Sequence, residues 1–381
     1  MKVLLFAPYF PPAHRGGGPI RTLAALTRTA PRTVELSIIT RDRDLGADVP
    51  LPVERNAWLA LEGSGNRIRY TSFDRLPALV RAYWSSRGDT DVVYLNGFFD
   101  PQASILPVLL HRLRLWGGAC LLVAPRGEFS AGALAIKPNR KRAFIRLFRW
   151  VVSRNLVWHA STPSEALDIA AVVGSDATIV VREDETDLPP DALPYVSRPR
   201  TSPDVLRLVF VSRISPMKGL TLLLEALSNV TTEVALDIYG PEEDAREVAA
   251  ARSLAGSLPA NVTCRFVGQV APEEVRGVFA DYDLFTFPTA GENFGHVVVE
   301  ALSASCPVMI SDTTPWTDTI RGGGGVVVTP REPAEWTRAI ERYAAAGPAA
   351  WEAARHSATE AYRGWAEAPK GAHVFDLVPT S

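Results

Sequence analysis

The 381-residue sequence has few cysteines, few histidines, little net charge and no long apolar run. Each shortage argues against a class of function. No run approaches the roughly 20 apolar residues that a membrane-spanning helix needs, so no transmembrane segment is expected. The first residues, MKVLLFAPYFPP, carry one lysine and a short apolar run. They lack the length and cleavage site of a secretory signal and read better as a first strand, so a cytoplasmic protein is expected. Cys120, Cys264 and Cys306 are scattered without ligand spacing. Free buried thiols in a reducing compartment are therefore expected, not a disulfide framework. The six histidines likewise share no metal-ligand spacing. A net charge of −2 gives no general argument for a nucleic-acid partner.

What is present is the composition of a globular protein, 47% hydrophobic and 22% charged, long enough for two domains of ordinary size. Short β-prone apolar runs recur at 2–7, 34–40, 67–72, 92–96, 120–124, 157–160 and 178–181, then at 206–211, 235–239, 262–267, 284–287, 307–310 and 326–328. Helical patterns fall between several of them, such as 20–29, 220–227, 272–279 and 336–345. The alternation predicts an α/β fold of doubly wound parallel sheets. Residues 42–65 read as a long polar loop, and the proline-rich text over 189–203 as an interdomain linker. The expected division is a first domain over 1–190, a linker over 191–204, a second domain over 205–360 and a weakly patterned tail over 361–381.

The most informative stretch is 281–316. Leu284 to Phe287 reads as a buried strand stopped by Pro288, followed by the polar loop Thr289-Ala290-Gly291-Glu292-Asn293. After Gly295 a helix is expected, with Val297, Val298, Ala301, Leu302 and Ala304 at helical spacing. Glu292 then lies at the carboxyl end of a strand, where open α/β sheets bind ligands, and Glu300 lies inside the helix. Between them the first helical amides form a potential anion site. The alternative is a solvent-facing Glu300 and a Glu292 that only caps the helix.

The text Asp283-Leu284-Phe285, Pro288-Thr289, Glu292-Asn293-Phe294-Gly295 and Glu300-Ala301-Leu302 resembles that of the family 4 glycosyltransferases. These are retaining enzymes of the GT-B fold, marked by two glutamates with seven residues between them. The resemblance implies two Rossmann-like domains facing a central cleft, the first on the acceptor side and the second holding a nucleotide-diphosphate sugar, with the chain's final segment, the tail over 361–381, crossing back to the first. It implies that Glu300 holds the donor ribose, and that Glu292 with the amides of Asn293, Phe294 and Gly295 holds sugar hydroxyls and phosphate. Ser212-Arg213 and Lys218-Gly219 match the family's basic loop. Arg213 and Lys218 would neutralise the diphosphate, one as a rigid fork of donors and the other as a point charge. Gly240 and Val270 fall where relatives contact the nucleotide. Gly17 and Gly18, in the glycine loop after the first strand, would let backbone approach donor phosphates.

Two places depart from the family text. Pro125-Arg126-Gly127-Glu128 stands where many members have His-Gly, so Arg126 or Glu128, with Asn96 nearby, would serve the sugar or acceptor in its place, or would form only a strand–turn with a surface charge pair. Arg182-Glu183-Asp184-Glu185 stands where members have a Pro-Asn-Gly turn.

Residues 137–154 are the most basic segment, with seven Lys and Arg and no acid. Phe144, Leu147, Phe148 and Val151 make one helical stripe, and Arg142, Arg146 and Arg149 another. This fits an amphipathic helix lying on an anionic membrane surface, or equally a helix packed on the sheet with its basic face solvated.

Asp281-Tyr282-Asp283 has the form of a metal-binding Asp-x-Asp, but the same form occurs at Asp42 and Asp89, and fixed cations would serve in a metal's place. No metal is expected. The function expected is retaining transfer of a hexosyl group to a glycan or lipid-linked acceptor of bacterial surface polysaccharide or glycolipid assembly. A nucleotide-sugar 2-epimerase of the same fold, or a non-catalytic binding subunit, are the alternatives.

Overall fold

A computed structural model describes residues 1–61, 65–152, 156–195 and 205–379. The chain divides into two compact units, Met1–Asp187 with the residues from Lys370 onward, and Leu188–Pro369. Most of the linker expected over 191–204 lies outside the described residues, as does Arg154. Leu188, Ala192 and Leu193 pack on the second unit's core.

The first unit is built on eight strands, β1 (Lys2–Ala7), β2 (Glu35–Arg41), β3 (Leu59–Ala60), β4 (Arg67–Thr71), β5 (Val92–Asn96), β6 (Cys120–Ala124), β7 (Leu156–Ala160) and β8 (Ile179–Val181). They lie in the order β3-β4-β2-β1-β5-β6-β7-β8. Every pairing is parallel except β3 with β4. Strand β3, a two-residue edge strand, falls in the segment expected to be a loop. A parallel sheet is covered on both faces, so its strands are apolar throughout. In β1, Leu4 and Phe6 join the core on one face, and Val3, Leu5 and Ala7 join the core on the other.

The second unit holds β9 (Leu206–Val211), β10 (Val234–Tyr239), β11 (Val262–Gly268), β12 (Leu284–Phe287), β13 (Val308–Ser311) and β14 (Gly325–Val328). They form one sheet in the order β11-β10-β9-β12-β13-β14, all parallel. Both sheets reverse strand order once, at β1/β5 and at β9/β12. At such a switch point the loops leaving the carboxyl ends diverge and leave room for a ligand.

The 21-residue helix Gly347–Glu367 runs into the tail expected over 361–381, and the helix's own apolar pattern is interrupted at its buried position Arg355. The chain then returns to the first unit, where Val374, Phe375 and Val378 are buried. Two of the three cysteines, Cys120 and Cys306, are buried thiols, and Cys264 is partly exposed.

Candidate active site

In the second unit the carboxyl ends of neighbours β9 and β12 carry the two loops that the sequence singles out. The first runs from Ser212 to Gly219 and holds Arg213, with Lys218 in a 3-10 turn, Pro216–Lys218. The second runs from Pro288 to Gly295. They are laced together by backbone: the Ala290 amide donates to the Met217 carbonyl at 2.7 Å, and the Thr289 hydroxyl donates to the same oxygen at 3.1 Å. Gly219, at φ 75°, must be glycine, because a Cβ there would stand 2.2 Å from the Pro288 carbonyl oxygen. Across this seam the Lys218 ammonium pairs with the Glu292 carboxylate, both largely shielded from solvent. Arg213 pairs with Glu243 at 2.6 Å in a far more exposed position.

Beyond Glu292 the chain turns through Gly295, at φ 82°, into the helix His296–Ser303. The turn is held from below by Trp316, whose indole N–H donates to the Phe294 carbonyl at 2.6 Å. Its ring lies 3.2 Å from where a Gly295 Cβ would be. The amides of Asn293 to Gly295 are thereby fixed at the helix N-terminus. Glu300 sits on that helix and is 8% exposed, so the solvent-facing alternative does not hold. Gly240 closes the neighbouring strand end, where a Cβ would meet the Ser212 carbonyl oxygen at 1.8 Å. Val270, past the end of β11, packs on the core.

Of two supports of this site, sequence reasoning named Thr289 only as loop and motif text and passed over Arg331. Thr289 is fully buried and accepts from the Gly291 amide at 3.3 Å. Arg331, just past the carboxyl end of β14, donates from Nε to the Pro288 carbonyl at 2.7 Å. Its burial depresses its pKa. Its place after a strand was the one signal available. Asp283, by contrast, precedes β12 and so lies at the opposite, amino end of the strands, its carboxylate held by Arg207 at 3.4 Å and Arg355 at 3.7 Å.

In the first unit, the loop after β1 holds Gly17, which caps the helix Gly18–Thr29 at φ 70°. Asp44 pins this loop by accepting from the His14 amide at 3.0 Å and the Arg15 amide at 3.2 Å. At the ends of β5 and β6 the structure brings Asn96, Arg126 and Glu128 together. Their polar atoms are turned inward on one another and on the chain. Arg126 donates to Asn96 Oδ1 at 2.8 Å and to the Tyr94 hydroxyl at 2.6 Å, and pairs with Asp184. Burial, the largest single influence, lowers its pKa, but Asp184, Tyr94, Glu165 and Glu185 together outweigh it and raise the pKa, so the guanidinium is held charged. The Glu128 carboxylate accepts from the Phe98 and Phe99 amides at 2.6 and 3.0 Å, and burial raises its pKa. The surface charge pair is thus replaced by a buried one. The two departures from the family text, at Arg126 and at Asp184, meet in a single ion pair.

Tyr94 carries the network on to His159, whose Nδ1 lies 2.8 Å from the phenol oxygen and whose Nε2 lies 2.9 Å from the Arg182 carbonyl. A carbonyl can only accept, so Nε2 bears the proton and Tyr94 donates to Nδ1. Burial, with Arg126 nearby, pushes the His159 pKa down to about 3, and the ring is neutral.

Comparisons with known proteins bear on the family and the fold. Residues 198–362 match the family model "Glycosyl transferases group 1". The phosphatidyl-myo-inositol mannosyltransferase of Mycobacterium tuberculosis (strain ATCC 25618 / H37Rv) is 32% identical over 332 residues, covering 80% of this chain and 78% of that one. Sucrose-phosphate synthase from Thermosynechococcus elongatus superposes with a TM-score of 0.69 at 17% identity, covering 96% of this chain and 94% of that one. Anabaena HepE, solved in complex with UDP-glucose, gives a TM-score of 0.67 at 17% identity, with the same coverage. The paired parallel sheets and the extent of these matches make the chain a glycosyltransferase of the GT-B fold, a member of the group 1 glycosyl transferases.

Proposed function

We propose that the chain is a retaining glycosyltransferase that takes a sugar from a nucleotide-diphosphate donor and passes it to a lipid-linked or glycan acceptor, without a metal. The observation that carries this reading is the Lys218–Glu292 pair, which sets a cation and a carboxylate beside fixed helix amides at the sheet's switch point. An incoming diphosphate would take Lys218 from Glu292 and Arg213 from Glu243. Glu292 would then be left against the transferred sugar, whose ring gains positive charge as its bond to phosphate breaks. Preorganised groups of this kind stabilise the charges that develop in the transition state. Glu300, one helical turn further on, suits the ribose. Gly240 and Val270, on the same unit, suit the nucleotide. Asn96, Arg126 and Glu128 shape the acceptor side by holding the loops at the ends of β5 and β6.

The lipid-linked acceptor is supported by the mannosyltransferase relative, whose name specifies a phosphatidylinositol acceptor. HepE, which holds UDP-glucose, supports the donor class. Among the described residues no helix is long and apolar enough to cross a membrane. A lipid acceptor would be met at a membrane surface, with the basic helix Pro138–Val151 as a contact. The test is transfer from labelled nucleotide sugars to bacterial lipid extracts in the presence of EDTA. The product should form and should keep the donor's anomeric configuration. An inverted product would contradict retention, and activity lost to EDTA but restored by Mg²⁺ would contradict the metal-free reading.

A further inference from the structure

Three helices cover the same face of the first sheet: Leu76–Ser85, Leu106–Arg112 and Pro138–Val151. Each sends side chains into one core, for example Leu79 and Tyr83, Val108, and Phe148 and Val151. The latter two helices pack together, and the Trp116 indole beyond the second donates to Ser86 beyond the first at 3.2 Å. They form a continuous layer.

The outer side of this layer is unusual in two respects. The helix Leu76–Ser85 exposes large apolar side chains on its solvent side, beside Arg81. Leu76, Val80 and Trp84, spaced four residues apart, make one outward line and are 66%, 53% and 57% exposed. Among the described residues, eight of the fourteen exposed large hydrophobic side chains fall within 75–152, against one, Val267, in the whole second unit. Trp150, on the third helix, is 76% exposed. The second respect is charge. Stretches 75–87, 106–118 and 131–152 contain eleven Lys and Arg and no Asp or Glu, in a chain whose net charge is −2.

We propose that this helical layer is a docking face for an anionic lipid surface, and that the Leu76–Val80–Trp84 line inserts into it. The inference deepens the membrane contact proposed above for Pro138–Val151 and rests on it, adding an apolar anchor that the basic helix alone does not supply. Exposed apolar area rimmed by basic groups matches the interface of a negatively charged bilayer, with acyl chains for the line and headgroups for the rim. A second copy of this chain fits the face poorly, because a symmetric pairing would set like charges against one another.

The experiment is vesicle co-sedimentation with phosphatidylcholine alone and with added phosphatidylserine, at low salt and at about 0.5 M salt, where the screening length falls to a few ångströms. Wild type is compared with the stripe variant Leu76→Ser/Val80→Ser/Trp84→Ser, with Trp84→Ser alone, and with the basic variant Arg142→Glu/Arg146→Glu/Arg149→Glu. Thermal melts check that each variant is folded. Wild type should bind only the anionic vesicles and keep part of its binding at high salt. The stripe variant should lose that salt-resistant part by about tenfold or more, and Trp84→Ser should lose an intermediate amount. The basic variant should lose binding at low salt. If the folded stripe variant and Trp84→Ser sediment like wild type at both salts, the insertion is overturned while a purely electrostatic contact stands. If wild type ignores anionic vesicles altogether, both readings fall. If the stripe variant instead abolishes self-association with no change in vesicle binding, a second copy covers the face and the proposal is overturned.

Discussion

Glu292 and Glu300 flank the same amide turn but live in different surroundings. Glu292 is paired with a lysine 74 residues away, whereas Glu300 is sunk in the helix at 8% exposure. The proposed roles differ accordingly. A ribose changes little on the way to the transition state, so Glu300→Gln should raise the donor KM more than it lowers kcat, the mark of lost uniform binding. Glu292→Gln should leave donor binding nearly intact, since it also frees Lys218, and should cut kcat about 10²–10³-fold, roughly 3–4 kcal/mol. Initial-rate kinetics on both variants check this, and near-wild-type constants for both would remove the pair from the site. These glutamates, with Arg213 and Lys218, were legible because they lie in short local motifs. Arg126 was not legible in full. Its environment is set by Asp184, 58 residues further on, and sequence cannot show that a residue at a strand end is turned inward.

At the scale of elements, the network Arg126–Tyr94–His159 ties β5, β6 and β7 at their carboxyl ends, and it carries a pH signature. His159 has a pKa of about 3 in the fold, against about 6.5 in an unfolded chain. The unfolded state therefore binds the extra proton between these values. The network's stability is complete above pH 6.5 and is lost as pH falls toward 3, by up to about 1.4 kcal/mol per pH unit. Urea unfolding of wild type and His159→Gln at pH 7, 6 and 5 should show the wild type losing its advantage in that order. Parallel losses in the two proteins would show that His159 does not supply this slope. Most strands were legible from their continuous apolar runs, because a parallel sheet buried on both faces leaves no other pattern. Leu59–Ala60 is too short to leave one. The helix Gly347–Glu367 was obscured where its buried line, Trp351, Arg355, Ala358 and Tyr362, passes through an arginine. Arg355 is inside because it donates to the Tyr282 and Ser305 carbonyls.

At the scale of the molecule, the chain's return to its first unit is the feature that composition concealed. The residues after Pro369 are few and weakly patterned, yet Phe375 is 2% exposed and meets the Tyr94 ring edge-on, with centroids 6.0 Å apart. Phe375→Ala should cost the first unit about 3–5 kcal/mol, read as a lowered urea midpoint. An unchanged midpoint would mean that the returning segment is not part of that core. The central claim, that the β9/β12 loops bind a nucleotide-sugar diphosphate, is tested most directly by calorimetric titration of wild type and Lys218→Ala with UDP-, GDP-, ADP- and TDP-sugars. At least one donor should bind wild type, and at 100 times its Kd should stabilise it by about 2.7 kcal/mol. Lys218→Ala should bind that donor about ten- to a hundredfold more weakly, as expected for one lost charged hydrogen bond. Equal affinity in the two proteins, or no binding of any of the four donors to wild type, would contradict the account.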